Sequence, residues 1–149
     1  MGILSALVGL RVYLDANILI YALEGFALFA TELQLLFDAI EEGKIQGITS
    51  ELSLAEVLVK PMLENNFELR VAYERLLRHS PVFSVMPMTR EVLLGASEIR
   101  ARQRLRLPDA IHLATARMNG CSCFLTNDSR LKSVPGMRVV ILSEVLRPN

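Results

Sequence analysis

Short apolar runs alternate with longer amphipathic stretches along this chain. The apolar runs have the length of buried β-strands, about four to eight residues. They are residues 10–14, 45–49, 82–86, 123–126 and 138–142. In the stretches between them, apolar side chains recur about every three or four residues, as they do on the packed face of a helix. The pattern therefore predicts strands that alternate with helices.

Capping and breaking residues mark the ends of the amphipathic stretches. Gly43 is a stop signal, Ser50 is a capping residue at a helix start, and Pro61 marks the end of that helix. The predicted helices are residues 18–24, 29–40, 51–61, 67–77, 90–104 and 108–118. Strands separated by helices favour a parallel sheet that is covered on both faces. The sequence thus predicts one α/β domain, residues 1–149, with a five-stranded parallel sheet flanked by helices on both faces.

Composition and charge restrict the kinds of partner. The chain has 149 residues, of which 52% are hydrophobic and 21% are charged. This balance indicates a compact globular protein and argues against disorder. The formal net charge is zero, so no global positive field attracts a nucleic acid. A nucleic-acid partner would have to be held by a local basic surface or through metal ions.

The first 30 residues are strongly apolar, but they lack the features of an export or membrane segment. No basic segment precedes residues 3–10, and that run is far shorter than the roughly 20 residues needed to cross a bilayer. Arg11, Asp15 and Glu24 then interrupt the apolar stretch. The sequence therefore predicts a soluble cytoplasmic protein without a membrane segment.

Aspartate is scarce, and its positions carry most of the functional information. The chain contains four aspartates. Asp15 and Asp128 follow predicted strands, whereas Asp109 and the glutamate Glu56 lie near the starts of predicted helices. Ligands of open parallel sheets bind outside the carboxyl ends of the strands. Acids at these places are therefore candidates for a shared functional site.

The two acids that follow strands also have ordinary structural explanations. Asp15 can cap the next helix, and Asn17 lies where that helix begins. The functional alternative makes Asp15 a metal ligand and Asn17 an amide that holds it or the substrate. Asp128 belongs to a segment of typical turn residues. Neither position decides the function when it is taken alone.

The two acids on helices have comparable explanations. Glu56 follows Ser53 at the spacing of a capping box, although Ser50 marks an earlier start and places Glu56 in the second turn. In an apolar helical segment, a glutamate needs either a partner or solvent, because an unpaired buried charge is costly. Asp109 in a first helical turn interacts favourably with the helix dipole. These positions, too, carry functional weight only as members of a set.

As a set, the acids predict a divalent cation. Four carboxylates in one pocket repel each other, and a cation removes that repulsion. Mg²⁺ and Mn²⁺ prefer oxygen ligands and retain waters, which leaves room for a phosphate oxygen. Two such ions, roughly 4 Å apart, would activate water and stabilise the leaving oxygen of a phosphodiester. The sequence therefore predicts a Mg²⁺ or Mn²⁺ site with hydrolysis as its chemistry.

The contexts of the acids resemble the PIN-domain family of ribonucleases, and especially the VapC-type toxins of bacterial and archaeal toxin–antitoxin pairs. The most specific segments are Leu14-Asp15-Ala16-Asn17 and Thr126-Asn127-Asp128. Asp109 in Leu-Pro-Asp-Ala-Ile-His and Glu56 in Ser-Leu-Ala-Glu-Val match the other two motifs. The resemblance covers nearly the whole chain, and the four acidic positions of the family are all occupied.

This resemblance implies a metal-dependent endoribonuclease with a PIN-like fold. By the resemblance, Asp15 and Asp109 would be the principal metal ligands. Glu56 and Asp128 would complete the acidic pocket, directly or through water. RNA would be the substrate, a small protein antitoxin would neutralise the activity of a type II toxin, and the protein would form a homodimer.

Several neighbouring side chains are candidates for supporting roles. The resemblance implies that Asn17 and Thr126 orient ligands or the scissile phosphate. Arg104, Arg106 and Arg130 lie close in sequence to the acidic motifs and are candidate RNA contacts. The alternative for these arginines is an ordinary solvated surface. His112 is interpreted as hydrogen-bonded structure and is left out of the catalytic set.

Other functions are compatible with parts of this sequence. A PIN-like domain can serve in RNA processing without an antitoxin, and a non-catalytic RNA-binding module could retain the fold. The four acids count against the non-catalytic module, because RNA binding alone favours removal of negative charge from a phosphate site. A phospho-acceptor receiver domain fails on placement, because no aspartate follows the third predicted strand.

Overall fold

The computed structural model describes residues 2–145, in which helices and strands alternate as the pattern predicts. The strands are β1 (Arg11–Leu14), β2 (Gln46–Ser50), β3 (Phe83–Met86), β4 (Cys123–Thr126) and β5 (Val139–Ile141). The helices are α1 (Ile3–Leu7), α2 (Ala16–Leu23), α3 (Ala30–Glu41), α4 (Glu51–Val57), α5 (Val59–Leu63), α6 (Phe67–Leu76), α7 (Arg90–Arg102), α8 (Leu107–Met118) and α9 (Leu142–Val145). A 3₁₀ turn covers Ser129–Leu131. Within this part of the chain, no helix is long and apolar enough to cross a membrane.

The five strands form one parallel sheet in the order β3-β2-β1-β4-β5. β1 is the central strand, and its Tyr13 lies opposite Ile48 of β2 and Phe124 of β4. The chain builds outwards from β1 to one edge through β2 and β3, and then to the other edge through β4 and β5. The predicted five-stranded parallel sheet is confirmed. Its direction of winding reverses between β1 and β4, which is where ligands of such sheets bind.

Alternate side chains of β1 enter two separate cores. Val12 and Leu14 pack with residues of α1, α2 and α3 on one face of the sheet. Tyr13 packs with residues of α7 and α8 on the other face. All three side chains are fully buried, as expected for a parallel sheet that helices cover on both sides. The predicted layer arrangement is confirmed.

Several helices differ from the sequence prediction. The helix predicted for residues 51–61 is divided into α4 and α5, because Pro61 has no N–H with which to bond the carbonyl of Val57. α7 ends at Arg102 instead of residue 104, since Gln103 adopts an extended conformation with φ −136° and ψ 144°. The sequence pattern does not predict the short helices α1 and α9, and Leu142, assigned to the fifth predicted strand, is the first residue of α9. Ile3 and Leu7 lie one turn apart and are both fully buried in the core.

Gly47 allows α3 to pack closely against the sheet. A Cβ atom at this position would lie 3.0 Å from Ile40 Cδ1 and 3.1 Å from Phe83 Cδ1. Both distances are shorter than an ordinary van der Waals contact. Any side chain larger than glycine would therefore displace its neighbours, at a cost of roughly 1–3 kcal/mol.

Candidate functional site

Asp15 lies at the carboxyl end of the central strand and caps α2. Its Oδ1 accepts a hydrogen bond of 2.8 Å from the Ala16 N–H. Its Oδ2 accepts bonds from Thr126 Oγ1 at 2.7 Å and from Asn17 Nδ2 at 3.4 Å. The residue is only 7% exposed. The capping alternative is confirmed at Asp15, because Oδ1 caps the helix, whereas Oδ2 is bonded to Thr126 of β4.

Burial raises the pKa of the Asp15 carboxyl above its ordinary value. The neighbouring imidazole of His112 and the hydrogen bonds from Thr126 and Ala16 lower this pKa, whereas the negative charge of Glu56 raises it further. Burial is the largest of these effects. Burial therefore makes the ionised form of Asp15 less favourable than it is in water, and a nearby cation would stabilise that form.

Thr126 connects the ends of β1 and β4. Its hydroxyl donates to Asp15 and accepts from Asn17 Nδ2 at 3.1 Å and from the Asp128 N–H at 3.1 Å. One donated and two accepted bonds use the full capacity of a hydroxyl group. Asn17 also accepts a bond of 3.1 Å from the Asn127 N–H through its Oδ1. The structure thus brings Asn17 and Thr126 into contact with Asp15, and both act on its orientation.

Asp128 caps the 3₁₀ turn and forms an ion pair with Arg130. Its Oδ1 accepts bonds from the Arg130 N–H at 3.0 Å and from Arg130 Nε at 2.9 Å. Arg130 Nη2 lies 2.5 Å from Oδ2 of the same carboxylate. The hydrogen bonds from Arg130 hold the pKa of Asp128 below its ordinary value.

Asp109 lies in the first turn of α8 and is buried to 8% exposure. Arg106 caps this helix through its backbone, and its Nε lies 3.2 Å from Asp109 Oδ2. Arg106 and Arg130 each also interact electrostatically with the acid that is paired with the other arginine. Asp128 is the main reason that the pKa of Arg130 is raised, and Asp109 adds to the effect. The charge of Arg106 likewise helps to lower the pKa of Asp128.

Glu56 lies on α4 and is bonded to a buried histidine. Ser50 caps α4 by accepting a bond of 3.0 Å from the Leu52 N–H, so Glu56 lies in the second turn as predicted. Its Oε1 lies 2.6 Å from His112 Nε2. The Glu56 side chain is 34% exposed, whereas that of His112 is 1% exposed. The partner that the sequence could not identify for Glu56 is therefore His112.

His112 is the residue of this site that sequence reasoning left out. Its Nδ1 lies 2.5 Å from the Tyr13 hydroxyl, and its Nε2 lies 3.9 Å from Asp15 Oδ1. The interpretation of His112 as hydrogen-bonded structure is correct, but the bonds are made inside the site. The available signal was its spacing of one helical turn from Asp109, which places both residues near one face of α8.

The four acids form two groups at this edge of the sheet. Asp15 and Glu56 lie near His112 Nε2, and Asp109 and Asp128 are paired with Arg106 and Arg130. Among residues 2–145, no three His, Cys, Asp or Glu side chains are arranged as a ready-made metal site. Guanidinium and imidazole groups of the chain itself hold three of the carboxylates. The donor set consists of carboxylate oxygens, which fit Mg²⁺ or Mn²⁺.

A cavity lined by arginines lies where α7 ends and α8 begins. Its volume is about 680 Å³, and its lining includes Arg100, Arg104 and Arg106. Arg106 therefore both borders this cavity and contacts Asp109. Arg130 is outside the cavity lining but is bonded to Asp128. The three candidate RNA contacts, Arg104, Arg106 and Arg130, are all exposed.

Comparison with known proteins identifies the fold and its family. A family model described as the PIN domain matches residues 12–137. A search of curated proteins yields no significant match. Solved structures that share the fold include a toxin–antitoxin complex from Klebsiella pneumoniae, with 24% identity, a TM-score of 0.64 and coverage of 89% of this chain and 98% of that one.

Two further solved structures show the same likeness. DNA-bound VapBC from Salmonella typhimurium has 18% identity, a TM-score of 0.69 and coverage of 89% of this chain and 98% of that one. VapC20 from Mycobacterium tuberculosis, described as a sarcin–ricin loop cleaving toxin, has 17% identity, a TM-score of 0.68 and coverage of 84% and 95%. At these identities the likeness concerns the fold.

Proposed function

The chain belongs to the PIN-domain family, and from this premise we propose that it is a metal-dependent endoribonuclease that hydrolyses RNA phosphodiester bonds. Nucleases of this family generally depend on divalent metal ions. The observation that carries the proposal is the position of Asp15. This buried acid lies where the winding of the sheet reverses, and the negative charge of Glu56 acts on it.

The four carboxylates would hold Mg²⁺ or Mn²⁺, with Asp15 and Asp109 as the principal ligands. When bound, such an ion lowers the pKa of a water molecule and offsets the charge of the phosphate. Thr126 and Asn17 orient Asp15 by donating to its Oδ2. Glu56 has the most exposed side chain of the four acids, at 34% compared with 19% for Asp128, the next most exposed. It is therefore the acid that a water molecule or a phosphate reaches most easily.

Local basic side chains would position the RNA backbone. The net charge of the chain is zero, so attraction to RNA has to come from a local surface. Arg104 and Arg106 line the cavity of about 680 Å³ beside Asp109, and Arg130 lies at the other acid pair. We assign these three arginines to phosphate contacts, which fix the position of the strand without reading its sequence.

The type of biological system is part of the proposal. Three of the similar structures are described as a toxin–antitoxin complex, a DNA-bound VapBC and a VapC that is a sarcin–ricin loop cleaving toxin. On this basis we propose that the chain is a single-domain toxin of a type II toxin–antitoxin system. Its partners would be a small protein antitoxin and a second copy of itself, and it would act on RNA in the cytoplasm.

The proposed activity is tested by incubating the protein with a mixed pool of structured RNAs. Mn²⁺ or Mg²⁺ is supplied in one arm, and EDTA is present in the other. The Asp109→Asn variant tests the site, and Asp38→Asn is the matched control. Asp38 is the aspartate on α3, where it is exposed and bonded to Gln34.

We expect discrete RNA fragments that require both the metal and Asp109, with Asp38→Asn as active as the wild type. Cleavage that persists in EDTA or in Asp109→Asn would contradict the proposed mechanism. Absence of cleavage together with absence of Mn²⁺ binding would instead favour a non-catalytic RNA-binding module.

A further inference from the structure

Tyr13, His112 and Glu56 form a continuous hydrogen-bonded chain through three elements of the fold. Tyr13 on β1 bonds His112 Nδ1 at 2.5 Å, and His112 on α8 bonds Glu56 Oε1 on α4 at 2.6 Å. We propose that Tyr13 and His112 are positioning residues that hold the Glu56 carboxylate in its metal-binding orientation. This inference rests on the proposed function, because it assigns a task to residues of that same site.

The direction of the hydrogen bonds follows from their chemistry. An ionised carboxylate can only accept, so His112 Nε2 must donate its proton to Glu56 Oε1. A tyrosine phenol carries its proton at neutral pH, so Tyr13 can donate it to His112 Nδ1. A neutral imidazole carries one proton, and the Tyr13 bond keeps that proton on Nε2. Tyr13 therefore donates to His112, and His112 donates to Glu56.

Tyr13 and His112 are fixed by packing, whereas the Glu56 side chain is partly exposed. Tyr13 is fully buried and stacks on Phe124, with ring centroids 5.0 Å apart and planes inclined by 12°. His112 packs edge-on against Tyr13 at 5.6 Å. Glu56 lies on a helix of seven residues and is one-third exposed. A free glutamate side chain has several rotamers, so a fixed donor reduces the entropy lost when it becomes a ligand.

The imidazole also lies beside two like charges. His112 Nε2 is 2.6 Å from Glu56 Oε1 and 3.9 Å from Asp15 Oδ1, so the ring edge lies beside both carboxylates. Because His112 takes up Oε1, the second oxygen of Glu56 remains available for a ligand. Hydrogen-bond partners of ligating carboxylates usually affect metal affinity by about 10- to 100-fold.

The test is a set of Mn²⁺ affinities measured by calorimetry on the full chain. His112→Leu removes the donor and should weaken Mn²⁺ binding by about 10- to 100-fold. His112→Gln retains an N–H donor and should recover part of that loss. Tyr13→Phe removes one hydroxyl group and should weaken binding by less than His112→Leu. Thermal unfolding without metal shows whether each variant is folded.

Coupling to Glu56 distinguishes positioning from general support of the fold. In a Glu56→Gln background, His112→Leu should cause no further loss of Mn²⁺ affinity. Tyr73→Phe is the matched control for Tyr13→Phe, because Tyr73 is equally buried and donates to Glu24 at 2.5 Å, outside the site. It should leave Mn²⁺ affinity unchanged.

The outcomes separate this inference from the proposed function. Wild-type Mn²⁺ affinity in His112→Leu, or an equal loss with and without Glu56, would overturn the positioning role while leaving the nuclease intact. A wild-type protein that neither binds Mn²⁺ nor cleaves RNA would contradict the proposed function and the inference together. Recovery in His112→Gln with loss in His112→Leu at similar unfolding temperatures would support the inference.

Discussion

Thr126 donates a hydrogen bond of 2.7 Å to Asp15 across 111 positions of sequence. The same hydroxyl accepts bonds from Asn17 and from the backbone of Asp128. Thr126 is fully buried, so the loss of its hydroxyl would leave these groups without their partner. The bond joins the ends of the two strands between which the candidate site lies.

Replacement of Thr126 by valine should therefore affect both stability and metal binding. The shape of the side chain is retained, but buried polar groups lose their partner, which costs about 1–3 kcal/mol of unfolding free energy. Mn²⁺ affinity should fall by about 10- to 100-fold, because Asp15 loses an orienting bond. Urea unfolding and calorimetry measure the two effects. Thr126→Ser, which retains the hydroxyl, should stay close to the wild type in both; equal behaviour of valine and serine variants would contradict this role.

Asp15 should make the metal-free protein less stable as the pH rises. Burial raises its folded-state pKa, so the folded protein binds this proton more tightly than the unfolded chain does. Stability is then lost as the pH rises from the ordinary value of 3.8 through the raised pKa. The stability of Asp15→Asn relative to the wild type should increase over that window, whatever fixed cost the amide introduces. Urea unfolding in EDTA at several pH values measures this difference, and a constant difference would contradict it.

Asp128 should have the opposite dependence on pH. The hydrogen bonds from Arg130 lower its folded-state pKa below the ordinary value of 3.8. The ionised form therefore contributes stability that is fully present above pH 3.8 and is lost as the pH falls through the lowered pKa. Asp128→Asn should be less stable than the wild type near neutral pH, and its deficit should shrink in acid. A deficit that grows in acid would show that Arg130 does not stabilise the charged carboxylate.

Arg106 should have opposite effects on metal and on RNA. The Arg106 side chain is exposed, and its Nε lies 3.2 Å from Asp109 Oδ2. Arg106→Gln should raise Mn²⁺ affinity by about two- to fivefold, since exposed ion pairs are weak. It should lower RNA affinity and reduce the salt dependence of RNA binding by about one phosphate contact.

The matched control for Arg106→Gln is Arg70→Gln. Arg70 forms an ion pair of similar length, 3.1 Å, with Glu74 on α6. This substitution should change neither Mn²⁺ affinity nor RNA affinity. If both arginine variants weaken RNA binding equally, the effect is one of general charge, and the assignment of Arg106 is wrong.

Much of the fold and part of the site follow from local sequence signals. The strand at Cys123–Thr126 is fully buried, and its apolar run has both the length and the punctuation of a parallel strand. The positions of Asp15 and Asp128 beyond strand ends follow from the same pattern. Parallel strands end at a common edge, so their proximity required no knowledge of the individual contacts.

The contacts among side chains could not be predicted in this way. His112 reaches Tyr13 and Glu56 only because α8 packs on the face of the sheet to which Tyr13 points, and α4 ends nearby. That arrangement depends on how three elements pack, which periodicity does not encode. The pairing of Arg106 with Asp109 could not be predicted either. Arg106 lies beyond the end of α7, where periodicity predicts neither the backbone conformation nor the side-chain rotamer.

The decisive measurement is the Mn²⁺ dependence of RNA cleavage by the wild type and by Asp15→Asn, with one RNA that the pool experiment supplies. If the four carboxylates act as one metal centre, the wild-type rate rises with Mn²⁺ and saturates. The rate for Asp15→Asn should then be lower by about 100-fold or more. Such a loss is larger than the loss expected when only a hydrogen-bond partner of a metal ligand is removed. Equal rates with the same Mn²⁺ dependence in both proteins would show that Asp15 is not part of the metal centre.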